Sequence, residues 1–179
     1  MSDIHENSPP GLTAGRAVLL AAGAGYLALL IYQALTLPHE VPGHVGPTGR
    51  VTWWGNKGMH LTIASVVGLG LFLLMWNIPR MMRSLPPELI NLPNKDYWLA
   101  PENREQAQRM MAADMGWIGA ATIGLVGYAV WEMGHIARGG EVNMAAFWVI
   151  FAIYLILTIG WSIWSTVGPR WKPPVHPFG

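Results

Sequence analysis

The chain has 179 residues, of which 52% are hydrophobic and 12% charged, with a formal net charge of +1 and no cysteine. Soluble domains carry about a quarter charged residues, so a chain this poor in charge cannot cover a water-exposed surface, although it can cover one that faces lipid. The absence of cysteine excludes disulfides, thiolate metal sites and thiol catalysis. The composition therefore predicts an integral membrane protein, and it gives no indication of nucleic-acid binding.

Four apolar segments are long enough to cross a bilayer, since about 20 residues of α-helix span roughly 30 Å of hydrocarbon. They are residues 17–37, 59–76, 110–136 and 144–167. An open strand would leave backbone groups unpaired in lipid, so we predict a helix for each segment. The predicted fold class is all-α, an integral membrane four-helix bundle that forms a single domain over residues 1–179.

The first span follows a stretch, residues 1–16, that contains two acidic residues, a proline pair and one basic residue. A secretory signal has a basic start and a cleavage site after its apolar run, and neither is evident here. We therefore expect the first span to be retained and to act as the insertion signal.

A Pro- and Gly-rich outer loop, residues 38–58, is predicted between the first two spans. Pro38 and Pro42 would end the first helix, and the glycines that follow allow the chain to turn. The paired Trp53 and Trp54 belong to a residue type that favours the membrane–water interface.

A longer polar loop, residues 78–109, is predicted before the third span. Pro101 suits the first turn of a helix, so we expect the third helix to begin there in water and then to enter the membrane. Asp114 lies at the start of the span, and we expect it at headgroup level near Arg109 or Arg83. A proton or ion relay is the alternative role for this carboxylate.

Packing is predicted from small residues, because membrane helices associate through close fit. Three spans carry small residues spaced four apart, which favours a compact bundle; the alternative is that some of these faces bind another subunit. The fourth span is rich in large aromatic residues and is predicted to face lipid or a partner. The small-residue stripes are Ala17, Ala21 and Gly25, then Ala64 and Gly68, then Gly116, Ala120 and Gly124.

The basic residues predict the orientation of the chain. Eight of the eleven Lys and Arg residues lie before the first span, in residues 78–109 or after the fourth span. Because basic residues favour the cytoplasmic side, we expect both termini in the cytoplasm and the loop of residues 38–58 on the outer face.

Histidine and acidic residues gather on that predicted outer side. Glu132 and His135 are three residues apart and share a helix face, and His60 begins the second span at the same level. His39 and His44 lie in the outer loop. Imidazole and carboxylate groups bind zinc and similar metals, so these five residues are candidate metal ligands. The alternative is that they are interfacial polar residues that hydrogen-bond the loop.

Other catalytic patterns are absent from the sequence. It contains no Gly-x-Ser-x-Gly elbow, no phosphate-binding Gly-rich loop and no His-Glu-x-x-His. We therefore expect a protein that is not an enzyme and that uses no cofactor, unless the histidine group binds a metal.

The stretch Leu-Pro-His-Glu-Val-Pro-Gly-His after the first span resembles a motif in the N-terminal domain of SdpI-like bacterial membrane proteins. The resemblance covers roughly residues 15–135, and it departs from the family at Val45, where an aromatic residue is common, and at Thr52, where an aspartate is common. Lys57 of the motif is expected to extend outward from the second span. The motif residues are Leu37, Pro38, Pro42, His44, Gly49 and Lys57.

This resemblance implies a multi-pass protein of the bacterial cytoplasmic (inner) membrane that acts by binding, in immunity, signalling or sequestration. Its expected partners are the lipid bilayer and a protein ligand or other membrane subunits at the outer face. Two alternatives stay open. One is an accessory subunit of a larger respiratory or photosynthetic complex, and the other is a metal-binding membrane protein or transporter.

Overall fold

A computed structural model describes residues 13–82 and 84–174. Its four long helices are each apolar enough to cross a membrane, so the chain is a multi-pass membrane protein and the four predicted spans are confirmed. The third of these helices begins at Arg104, before the apolar segment of residues 110–136, as predicted. The stretch before the first helix, on which we based the expectation that the first span is retained, falls largely outside the described ranges. The helices are α1 (Ala14–Thr36), α2 (Lys57–Met81), α4 (Arg104–Ala137) and α5 (Met144–Val167).

The predicted outer loop between α1 and α2 is a β-hairpin. Strands β1 (Glu40–Val45) and β2 (Val51–Asn56) pair antiparallel, with an irregular register near the turn. Gly49 in the turn has a φ of 84°, a conformation that glycine adopts without strain. The all-α prediction therefore holds for the spanning helices and omits this hairpin.

The predicted loop before α4 and the C-terminal tail pack against each other. Trp98 Nε1 and Asn94 Nδ2 both donate to the Trp171 carbonyl oxygen, at 2.8 and 2.9 Å. The Trp98 and Trp171 rings meet edge to face at 5.6 Å. The first part of the C-terminal tail is thus ordered. The short elements here are 3-10 turns at Pro87–Leu89 and Pro169–Trp171 and the helix α3 (Lys95–Trp98).

The core is formed by α1, α2 and α4, and small residues allow their close approach. A Cβ on Gly116 would overlap the backbone of Gly15, so α1 and α4 cross with direct backbone contact. The Tyr26 ring of α1 lies against Gly68 of α2, and its hydroxyl donates to the Ala64 carbonyl oxygen at 2.7 Å. The predicted stripe on α2 and the first residue of the stripe on α4 therefore lie at helix contacts.

The predicted stripe on α1 is wrong, because Ala17, Ala21 and Gly25 are all exposed. The buried face of α1 instead carries larger side chains, among them Leu19 and Tyr26. These side chains fill the space that glycines leave on the facing helices, which small-residue spacing on α1 alone does not reveal.

Helix α5 lies at the periphery of the three-helix core. None of its residues is buried. A hydrogen bond of 3.0 Å between Thr122 of α4 and Tyr154 of α5 connects the two helices. This exposure agrees with the prediction that the aromatic fourth span faces lipid or a partner.

The helices run back and forth, so the bundle has two ends. At one end Gly15 contacts Ala113 and Arg170 bonds Asp114. We call it the terminal end, because the first and last described residues lie there. The opposite end carries the hairpin and is called the hairpin end.

Candidate binding site at the hairpin end

The base of the hairpin is tied by Lys57. Its Nζ donates to the Leu37 carbonyl oxygen at 3.2 Å, and its backbone N–H donates to the His39 carbonyl oxygen at 2.8 Å. Leu37 is the C-cap of α1, where unpaired carbonyl groups give the helix end a partial negative charge. The Lys57 ammonium group therefore caps α1, a contact that the expectation of an outward-extending side chain did not include.

Most of the other motif residues also shape the hairpin. Pro42 is buried and Pro38 is exposed, while Gly49 makes the turn. The His44 Nδ1 atom hydrogen-bonds the Thr52 hydroxyl across the strands at 2.8 Å. The motif thus has a structural explanation that involves no ligand.

Two tryptophans are presented on β2. The Trp53 ring lies over Gly43 of β1, where a Cβ would overlap it, and its side chain remains 46% exposed. Trp54 is 52% exposed. The hairpin end therefore displays two large aromatic side chains on a closed, hydrogen-bonded support.

A buried polar junction lies beneath the hairpin. Gln33 of α1 is 0% exposed, its Nε2 donates to the Val130 carbonyl oxygen at 2.7 Å, and its Oε1 lies 2.8 Å from His60 Nε2. Because the amide oxygen can only accept, His60 Nε2 carries the hydrogen and donates. The junction connects α1, α2 and α4. We did not single out Gln33 from the sequence, although an amide inside an apolar span is the signal that marks such contacts.

Two cavities lie under the hairpin, and side chains of α4 separate one from the other. The larger, about 240 Å³, lies between the hairpin, α2 and α4 and reaches His60. The smaller, about 90 Å³, lies between Val45, α4 and α5 and contains Glu132. Ala129 and Met133 line both cavities, so the two spaces adjoin along one helix.

The structure does not bring the five candidate metal ligands together. Within the described ranges, no three His, Asp or Glu side chains are placed to hold a metal ion. The side chains have other partners, and we propose no metal site. His44 bonds Thr52, His60 bonds Gln33, Glu132 accepts from the Tyr128 hydroxyl at 2.7 Å, His135 stacks on Trp131 at 5.2 Å, and His39 contributes a backbone carbonyl to the hairpin base.

At the terminal end, Asp114 is paired differently from the prediction. Arg170 Nη2 lies 2.7 Å from Asp114 Oδ1, and the Asp114 side chain is largely buried. Arg109 instead pairs with Glu105 at 2.9 Å, and Arg83 lies outside the described residues. A long-range ion pair with the tail therefore explains Asp114, and no relay needs to be invoked.

Comparisons with protein-family models, with curated proteins and with solved structures give no match to this chain. The likeness to SdpI-like proteins consequently rests on the motif residues alone.

Proposed function

We propose that this chain is a non-enzymatic membrane protein of the SdpI-like type that acts by binding a protein ligand at its hairpin end. The observation that carries the proposal is the presentation of Trp53 and Trp54 on a hairpin whose base is tied to α1 and α2. Exposed aromatic side chains on a rigid support are favourable anchors, because they bury large areas with little loss of conformational entropy.

The proposal includes a location. The excess of basic residues at the terminal end supports a cytoplasmic position for that end under the positive-inside rule. The hairpin would then face outward from a bacterial inner membrane, where it is accessible to a secreted or membrane-anchored ligand. Immunity and signalling are both roles of this kind.

Site-specific photocrosslinking in native membranes tests the proposal. A crosslinking residue at position 54 should give a discrete protein adduct, whereas the same residue at position 35, which is 80% exposed on α1, should react with lipid. The partner recovered at position 54 should bind the purified protein, and Trp54→Ala should weaken that binding while Leu35→Ala leaves it unchanged. Lipid adducts alone at position 54 would contradict a docking role for the hairpin.

A second candidate function, an accessory subunit of a larger membrane complex, is favoured by α5. This helix buries none of its residues and exposes large side chains such as Trp148 and Ile156. A crosslinker at position 156 should then capture a membrane protein that also comigrates with the chain after extraction in mild detergent. Extraction of the chain by itself would exclude this candidate.

A further inference from the structure

The smaller cavity contains the Glu132 carboxylate, which forms no ion pair with the residues that the structure describes. Glu132 lies on α4 roughly 8 Å from the helix end, at about 1.5 Å rise per residue. Its hydrogen-bond donor is the Tyr128 hydroxyl, at 2.7 Å. The ion pairs Arg109–Glu105 and Arg170–Asp114 lie at the terminal end and do not involve Glu132.

The basic groups nearest along the chain have other partners. The Arg138 guanidinium lies over the Tyr32 ring at 5.3 Å, toward α1. The His135 ring is stacked on Trp131, and Lys57 caps α1. An acidic side chain that lines a mainly apolar cavity favours a cation as its partner, and this position therefore points to a cation supplied from outside the chain.

The surroundings of Glu132 favour an organic cation over a metal ion. One carboxylate and one phenol provide too few oxygen ligands for a dedicated metal site. The rest of the cavity wall is mainly apolar and includes the aromatic ring of Phe147. A carboxylate combined with an aromatic ring is the arrangement that recognises substituted ammonium groups.

The adjoining larger cavity accounts for the remainder of such a ligand. Its lining is mostly apolar, with Val67, Val126 and Ile63 among the side chains that form it. Ala129 and Met133 line both cavities; the first has a small side chain and the second belongs to a residue type whose side chain adapts readily. We propose that the hairpin end binds a single-chain amphipathic ammonium ion, with its head at Glu132 and its alkyl chain across Ala129 in the larger cavity.

This inference is independent of the protein ligand proposed for the hairpin. It concerns the space beneath the hairpin, where Trp53 lines the larger cavity, whereas Trp54 lines neither cavity. Its test uses the purified chain alone, so either proposal can fail without the other.

Calorimetric titration with decyltrimethylammonium tests the inference, with the protein in uncharged maltoside micelles and protein-free micelles as the blank. The wild-type chain should bind the ammonium probe and show no binding of decyl sulfate. Glu132→Gln should weaken binding by about tenfold or more, which corresponds to about 1.4 kcal/mol. The matched control is Glu141→Gln, since Glu141 is exposed on the same end outside both cavities.

A second variant keeps the Glu132 carboxylate and fills the passage between the two cavities. Ala129→Leu places extra carbons between the cavities. It should also weaken binding of the ammonium probe, because the alkyl chain can no longer pass from one cavity to the other. Wild-type affinity in Glu132→Gln, or equal binding of decyl sulfate, would overturn the proposal. Unchanged affinity in Ala129→Leu would overturn the assignment of the alkyl chain to the larger cavity.

Discussion

At the scale of single residues, the side-chain amide of Gln33 connects three of the membrane helices. Gln33 is fully buried and bonds to groups from two other helices. Polar groups buried in an apolar region have no water to replace a lost partner, so the loss of one side chain leaves the other groups unsatisfied. The stability of the three-helix core should therefore respond strongly at this position.

Gln33→Ala is expected to lower the free energy of unfolding by roughly 2–4 kcal/mol, because it removes two hydrogen bonds and leaves a cavity. Unfolding in mixed micelles, titrated with a denaturing detergent, measures this change. Gln106→Ala is the matched control, since Gln106 is exposed near the start of α4. Equal stabilities of the two variants would contradict the structural role of Gln33.

Gly134→Ala is expected to destabilise the protein through the same amide. A Cβ on Gly134 would overlap Gln33 Nε2 and displace it from Val130. The loss should be roughly 1–3 kcal/mol, and it should not add to the loss in Gln33→Ala because the two changes affect one interaction. Gly124→Ala, where the new Cβ would meet no atom within 4 Å, should be close to neutral in the same titration.

At the scale of elements, the helices were predictable and their contacts only in part. Length and hydropathy locate α1, α2, α4 and α5, because each must satisfy its backbone in lipid. The hairpin was missed because its strands contain Pro42, Gly43 and Gly55, which are unfavourable strand residues, and show no clear alternation. Its base is closed by Lys57, whose bonds to Leu37 and His39 are not evident from residue patterns.

The candidate site was predictable in its position and not in its chemistry. The order of the four predicted spans placed His60 and Glu132 at the same end of the bundle. In the structure they line adjoining cavities at the hairpin end. The sequence could not show that α4 separates His60 from Glu132, or that Gln33 bonds to His60. Both facts depend on how each helix is rotated about its own axis. The pairing of Asp114 with Arg170 was missed for a similar reason, because the two residues are 56 positions apart.

Lys57→Met is expected to loosen the hairpin without unfolding the bundle. The variant keeps much of the apolar stem and removes the charge that caps α1, an interaction worth about 1 kcal/mol. Amide hydrogen exchange in β1 and β2 should become several-fold faster, whereas exchange in the middle of α4 stays unchanged. Lys172→Met, at the terminal end, should leave amide exchange in the hairpin at the wild-type rate. Equal exchange rates in the two variants would show that Lys57 does not hold the hairpin in place.

At the scale of the whole molecule, the orientation can be measured directly because the chain contains no cysteine. A single cysteine at Arg50 should react with a membrane-impermeant maleimide added to intact cells. A single cysteine at Glu102 should react only after the membrane is opened. The reverse pattern would place the hairpin in the cytoplasm and would contradict the location proposed for a ligand.

The bond between Gln33 and Val130 has a consequence for biosynthesis. The two residues are 97 positions apart, so the ribosome completes α1, the hairpin and α2 well before α4 is available. Until then the Gln33 amide nitrogen has no final partner, and Gly15 has no facing helix. The newly inserted pair of helices is therefore an incomplete intermediate, and the arrival of α4 in the bilayer is the step that commits the nascent chain to its final arrangement.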